Sequence, residues 1–148
     1  MTIIREAMAS DCESIQACAR AAYELYVERI GKAPAPMVAD FESHIEAGQV
    51  FVMLNENQLL GYAVCYVSDH TFQLDNIAID PGSQSKGLGR KLIEYIHALA
   101  KKKGLEAVTL YTNEKMTENL DWYNKLGYTE TGRRREDGFD RVYFRKQI

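Results

Sequence analysis

The sequence predicts a mixed α/β (α+β) fold, with helices packed on a central sheet that is mostly antiparallel. Two observations carry this prediction. Apolar residues recur at helical spacing in four segments and alternate, or run together, in seven shorter ones. The strand-like segments follow one another directly in the middle and again at the end of the chain, joined by short polar turns, and such neighbours form antiparallel hairpins. The element order is therefore β-α-α-β-β-β-α-β-α-β-β. A chain of 148 residues suits a single domain, 1–148, with a proper core.

The elements follow in order. "TIIREA" reads as an opening strand. Ser10 or Asp11 is placed to cap a helix carrying Ile15, Cys18, Ala22, Leu25 and Tyr26 on one face. That helix ends in "RIGKAPAP", where Gly31, Pro34 and Pro36 break it. "MVADFESHIEAG" fits a second, shorter helix closed by Gly48. The period then changes. "QVFVMLNENQLLGYAVCYVS" reads as two strands around an Asn-Glu-Asn turn, and "TFQLDNIAI" as a third. After a glycine-rich loop, Leu88, Leu92, Ile96 and Leu99 line one face of a helix ending in "KKKG". Lysines there complement the helix dipole, and Gly104 suits a left-handed cap. "AVTLY" is a strand and "ENLDWYNKLG" a helix stopped by Gly127. "YTETGRRR" and "FDRVYFRK" are strands around a Glu-Asp-Gly turn. Arg133 to Arg135 read as a solvated edge that resists strand addition.

Composition excludes several classes. The apolar share of 46% and charged share of 26% are those of a soluble globular chain, and a net charge of −3 does not favour a nucleic-acid partner. No apolar run approaches the roughly eighteen residues of a membrane span. "MTIIREAMAS" lacks the basic start and long apolar stretch of a signal peptide. Cys12, Cys18 and Cys65 make an odd count without metal-like spacing, which suggests reduced thiols in a cytoplasmic protein. His44, His70 and His97 are scattered, so no metal site is expected.

The informative stretch is "DPGSQSKGLGRKL", Asp80 to Leu92. A Walker loop needs a lysine directly after its last glycine; here Lys86 precedes Gly87. The dinucleotide fingerprint fails because Leu92 occupies its third glycine position. A third pattern, Gln or Arg followed by xxGxG between a strand and a helix, fits "QSKGLG" (Gln84, Ser85, Lys86, Gly87, Leu88, Gly89) completely. A helix start offers N–H groups without intrahelical partners and the positive end of the dipole, so the loop is a nest for an anion. Glycines remove the Cβ that would keep a pyrophosphate away, and Lys86, Arg90 and Lys91 add positive charge. Two glycines alone would fit a plain strand-to-helix connection; the flanking elements and the basic residues favour the anion nest.

"NIAIDPGSQSKGLGRKL" resembles the acetyl-CoA-binding motif of the GNAT (GCN5-related) N-acetyltransferases. "MTENLDWYNKLGY" resembles that family's later motif, a helix carrying a tyrosine before a Gly-aromatic pair, and the element order is also that of the family fold. The resemblance implies acetyl transfer from acetyl-CoA to an amine on a small molecule or peptide, with acetyl-CoA as co-substrate. It also brings a homodimer into view. Gln84 to Arg90 match the pyrophosphate loop. Ile77, Ala78 and Ile79 match the strand that bonds the pantetheine arm, with the Ile77 N–H facing the thioester carbonyl. Tyr123 matches the tyrosine that protonates the departing thiolate. The later motif often begins with Asn and has Ala three residues on; here Met116 and Asn119 stand there, and Asn119 is a cofactor contact by position only.

The resemblance also implies a base, or water leading to one, because amines are protonated near neutral pH. Family members place a carboxylate either on the strand before the loop or on the strand before the later motif. The second place here holds Tyr111. On the first, Gln73, Asp75, Ile77 and Ile79 share one strand face, so Asp75 is a candidate base; it is equally readable as a solvent-facing or hydrogen-bonded residue. Glu24 and Glu28 are weaker candidates. Tyr123, beside Trp122, could also be core. Tyr23, Tyr26, Met37 and Phe41 read as core or as acceptor-pocket lining, and "IGKAPAPM" as a binding loop. Two other functions fit the loop, a non-catalytic acyl-CoA sensor or interaction domain and a nucleotide-phosphate binder.

Overall fold

In the computed structural model, residues 2–84 and 86–148 are described. They fall into two compact units, one of Met1–Cys65 with Asn76–Ile96, the other of Tyr66–Asp75 with His97–Ile148.

In the first unit, β1 (Thr2–Glu6) pairs antiparallel with β2 (Val50–Asn55), which pairs antiparallel with β3 (Gln58–Ser68). Glu56, at φ +57°, makes the β2–β3 turn, and a bulge sits between Met53 and Leu54. Val52 lies opposite Tyr62, and both are fully buried. On their face, Phe41 of α2 (Phe41–Glu46) meets Tyr62 edge-on at 5.3 Å, and Ile15 of α1 (Cys12–Ile30) is also fully buried. Phe51 points to the other face by strand alternation and stacks 5.8 Å from Tyr95 of α3 (Leu88–Lys102). Helices thus cover both faces of this part of the sheet.

In the second unit, the start of β4 (Thr71–Ile79) pairs in parallel with β5 (Ala107–Asn113). β5 pairs antiparallel with β7 (Phe139–Gln147), and β7 with β6 (Thr129–Glu136). Asp137 and Gly138 both have positive φ, the two-residue turn that matches strand twist. Tyr123 of α4 (Thr117–Lys125) packs on Phe144 of β7. The strand order is β1-β2-β3-β4-β5-β7-β6, so the sheet is antiparallel except at β4–β5, and the fold is the expected mixed α/β arrangement.

Three local expectations need correction. Leu25 is 57% exposed, because the buried stripe of α1 runs through Ile15, Cys18, Ala19, Ala22, Tyr23 and Tyr26 instead. The second helix is split: Ala35–Val38 forms a 3-10 turn, Ala39 is extended, and α2 starts only at Phe41, with Asp40 accepting from the Ser43 N–H at 3.1 Å. Asp11 stands at the cap of α1 without capping it; its carboxylate accepts from the Met8 N–H and from Arg5 instead. Among the described residues no helix is long and apolar enough to cross a membrane, and no group of three His, Cys, Asp or Glu could hold a metal.

Candidate active site

The end of β4 supplies the first part of the site. Asp80 donates its N–H to the Leu60 carbonyl of β3 at 2.8 Å, so by alternation the backbone groups of Ile77 and Ile79 face away from β3. On that far side the ladder with β5 covers only Thr71–Leu74. Side chains take the two carbonyls beyond it. The Tyr23 hydroxyl donates to the Ile77 carbonyl at 2.7 Å, and Gln84 Nε2 to the Ile79 carbonyl at 3.1 Å. An extended residue aims its N–H and C=O at the same edge. The Ile77 N–H therefore lies on the edge that Tyr23 caps and beyond the β4–β5 ladder. Gly61 lets β3 approach closely: a Cβ there would stand 2.6 Å from Ile79 Cδ1 and 2.7 Å from the Ala78 carbonyl oxygen.

The loop supplies the second part. Asp80 accepts from the Gly82 N–H and starts one 3-10 turn, Pro81–Ser83. Gly87 then has φ +73°, a conformation that favours glycine, and turns the chain into α3. A Cβ at Gly87 would meet nothing within 4 Å, so there is room beside the backbone. Lys91 donates to the Gly87 carbonyl and closes the first helical turn. The N–H groups of Leu88, Gly89 and Arg90 lie inside that turn, where no intrahelical acceptor precedes them. Lys86 and Arg90 are exposed, with Arg90 3.2 Å from Glu94, while the Leu88 side chain is core. Ser85 lies outside the described residues. The chemistry available is that of an open anion cradle beside a strand edge that lies beyond the β4–β5 ladder.

The first unit thus gathers Ile77, Ala78, Ile79, Gln84, Lys86, Gly87, Leu88, Gly89 and Arg90. The second unit holds Asp75, Asn119 and Tyr123. Tyr123 is buried, its ring 5.7 Å from those of Tyr128 and Phe144 and 5.1 Å from Trp122. Burial pushes the Tyr128 hydroxyl well above its usual range, with Tyr123 adding to the shift, and Tyr128 is paired with His97. Asn119 reaches Thr112 Oγ1 at 3.5 Å and Met116 Sδ at 3.6 Å. Asp75 is half-buried, with the Tyr66 hydroxyl 3.5 Å from its Oδ1. Burial and then the Asp75 charge push the hydroxyls of both Tyr66 and Tyr111 upward.

Tyr23 and Gly61 are the residues the sequence under-weighted. Tyr23 is indistinguishable from core on an amphipathic helix. Gly61, a lone glycine inside a strand pattern, was a readable signal of close backbone approach.

Residues 46–130, more than half of the chain, match the family described as acetyltransferase (GNAT) domain. An uncharacterised Bacillus subtilis protein, YyaT, is 28% identical over 125 residues, covering 84% of this chain and 82% of its own. The [ribosomal protein bS18]-alanine N-acetyltransferase of Escherichia coli is 29% identical over 85 residues, 57% of each chain, so the alignment spans little more than half of that relative. In structure, the PaiA N-acetyltransferase of Thermoplasma acidophilum in complex with coenzyme A matches with a TM-score of 0.84 at 18% identity, over 100% of this chain and 99% of its own. Its fold is that of the present protein. With the family's sequence pattern running from the end of α2 through the glycine loop to the start of β6, the chain belongs to the GNAT acetyltransferase family.

Proposed function

We propose that this chain moves the acetyl group of acetyl-CoA to a primary amine by direct attack, with residues 1–148 acting as one domain in the cytoplasm. The acceptor amine belongs to a small molecule or a peptide. The observation that carries this reading is the cradle after β4, where the open Gly87 turn, the first N–H groups of α3 and the strand edge of Ile77 lie in one unit. Bound there, acetyl-CoA supplies the activated acetyl thioester. Backbone N–H groups of Gly87 to Arg90 hold the pyrophosphate, with Gln84, Ser85 and Lys86 in the same loop, and Ile77 to Ile79 hold the pantetheine arm. The Ile77 N–H stabilises the negative charge that grows on the carbonyl oxygen. Tyr23 fixes that peptide edge by holding the neighbouring carbonyl. Tyr123 returns a proton to the leaving thiolate. Asp75 takes the amine's proton, directly or through water, and the long hydrogen bond it accepts from Tyr66 leaves it acceptor capacity for this. Asn119 contacts the cofactor from the start of α4.

The test is thiol release from acetyl-CoA across a panel of amines, repeated with Tyr123→Phe. The substitution removes one oxygen and keeps the ring against Tyr128 and Phe144. An ordinary thiol has a pKa of about 8.5 and leaves tolerably well, so the acid helps without being indispensable. Turnover should fall about a hundredfold, the low end of general acid catalysis, at nearly unchanged acetyl-CoA affinity. Full turnover in the variant would make Tyr123 a core residue. Binding without thiol release for any amine would instead support a sensor or interaction domain.

A further inference from the structure

Four arginines line a cavity of about 210 Å³ in the second unit, together with Glu114 and Asp140. Two of them are committed. Arg133 pairs with Glu130 through Nε and Nη2 at 3.0 and 3.1 Å and with Glu114 through Nη1 at 3.0 Å. Arg135 Nη1 reaches both carboxylate oxygens of Asp140. The other two, Arg134 and Arg141, lie directly opposite each other on β6 and β7. Like charges opposed across a strand pair repel. Among the described residues Arg134 makes no ion pair, and Arg141 makes only two long ones, both through Nη1. Arg134 lies over the Tyr143 ring at 4.1 Å. Arg141 lies over the Tyr111 ring at 4.3 Å, and its nearest carboxylates are Asp137 at 3.6 Å and Glu136 at 3.9 Å. Only 12% of the Arg141 side chain is exposed, so its long ion pairs are weakly screened by water. Arg134 and the remaining donors of Arg141, each guanidinium stacked on a tyrosine ring, form a fork suited to a carboxylate.

The same sheet face leads to the candidate base. Tyr111, under Arg141, lies opposite Tyr143 and within the field of Asp75. We propose that Arg134 and Arg141 bind a carboxylate of the acceptor, so that the enzyme selects amines that also carry an acidic group. The acceptor's identity as an amine rests on the acetyltransferase reading above; the anion site does not.

The experiment compares acceptors that differ in one charge. Peptides with Glu, Ala or Lys after an N-terminal Ala are assayed by thiol release, beside free glutamate and its amide glutamine. The wild type should prefer the acidic member of a series by about tenfold to a hundredfold in kcat/KM, the loss expected when a charged hydrogen-bond pair goes unmade. The gain should lie mainly in KM. Arg134→Gln and Arg141→Gln should each shrink that preference towards one, whereas Arg135→Gln, at an arginine already held by Asp140, should retain it. A preference within the peptide series assigns the carboxylate to a polypeptide; one seen only for glutamate assigns it to a small amino acid. If no amine releases thiol, the anion site is still read directly, by titrating glutarate while following the arginine Nε–H resonances. Shifts confined to Arg134 and Arg141, weakened by salt, support the site. No acid preference, a preference that survives both substitutions, or unshifted resonances overturn it.

Discussion

Asp11 shows how one side chain can tie separate pieces together. Its carboxylate accepts from Arg5 Nη1 at 2.8 Å and Nη2 at 3.1 Å and from the Met8 N–H at 2.7 Å, joining β1, the following turn and the start of α1. The Arg5 hydrogen bonds hold the Asp11 carboxyl below the usual carboxylate range, against a smaller opposing effect of burial. A carboxyl lowered in the folded state stabilises the fold above its unfolded value, about 3.9, and that stabilisation is lost as pH falls through the lower folded value. The stability gap between wild type and Asp11→Asn should therefore be constant near pH 6 and close below about pH 4, read from denaturant midpoints. A gap that persists unchanged to the acid limit would show that the charge contributes nothing. At this scale the sequence exposes Asp11, but only as a cap. Its longer-range partner Arg5 sits on a strand, and local helix rules do not look there. Cys18 read as a reduced thiol at helical spacing, in the core or on the surface; it is buried, and burial, aided by Asp80, pushes its pKa up to about 12.

At the scale of elements, β3 and β4 set the geometry of the proposed thioester edge. Gly61 permits their approach, and a methyl group there would overlap the Ala78 carbonyl oxygen, which is backbone and can move only with the strand. Gly61→Ala should destabilise the protein by about 1–3 kcal/mol, the usual cost of overpacking. Acetyl-CoA affinity should weaken as well, because Ile77 to Ile79 shift. A calorimetric melt and a binding titration check both effects, and an unaltered Tm with unaltered affinity would remove Gly61 from the account. Elements with strong local signals matched their expected bounds: "TFQLDNIAI" is β4 itself, and the run ending in "KKKG" is α3, closed by Gly104 at φ +75°. The helix expected over "MVADFESHIEAG" was less legible, since Pro36 and the Asp40 cap divide a pattern that hydrophobic spacing alone joins.

At the scale of the whole molecule, the order of elements could be read from the sequence but the order of strands could not. β7 lies between β5 and β6, a pairing between distant segments that no local pattern encodes. The polar sequence of β6 does agree with its edge position, as expected of Arg133 to Arg135. Net charge does not show placement. A total of −3 conceals four arginines around one cavity, which only the β6–β7 register brings together. The shape of the glycine loop was legible because its parts are local, a strand end, a turn and a helix start contiguous in sequence. The most direct test of the account therefore addresses that loop. Thermal unfolding is measured alone, with acetyl-CoA and with ATP, each ligand at a hundredfold excess over the acetyl-CoA dissociation constant. Acetyl-CoA should stabilise the wild type by about 2.7 kcal/mol. ATP should not, and Gly87→Val, strained at its positive φ yet still folded by circular dichroism, should lose the effect. A melt that ignores acetyl-CoA, or that rises with ATP instead, would contradict the assignment of this loop to acetyl-CoA.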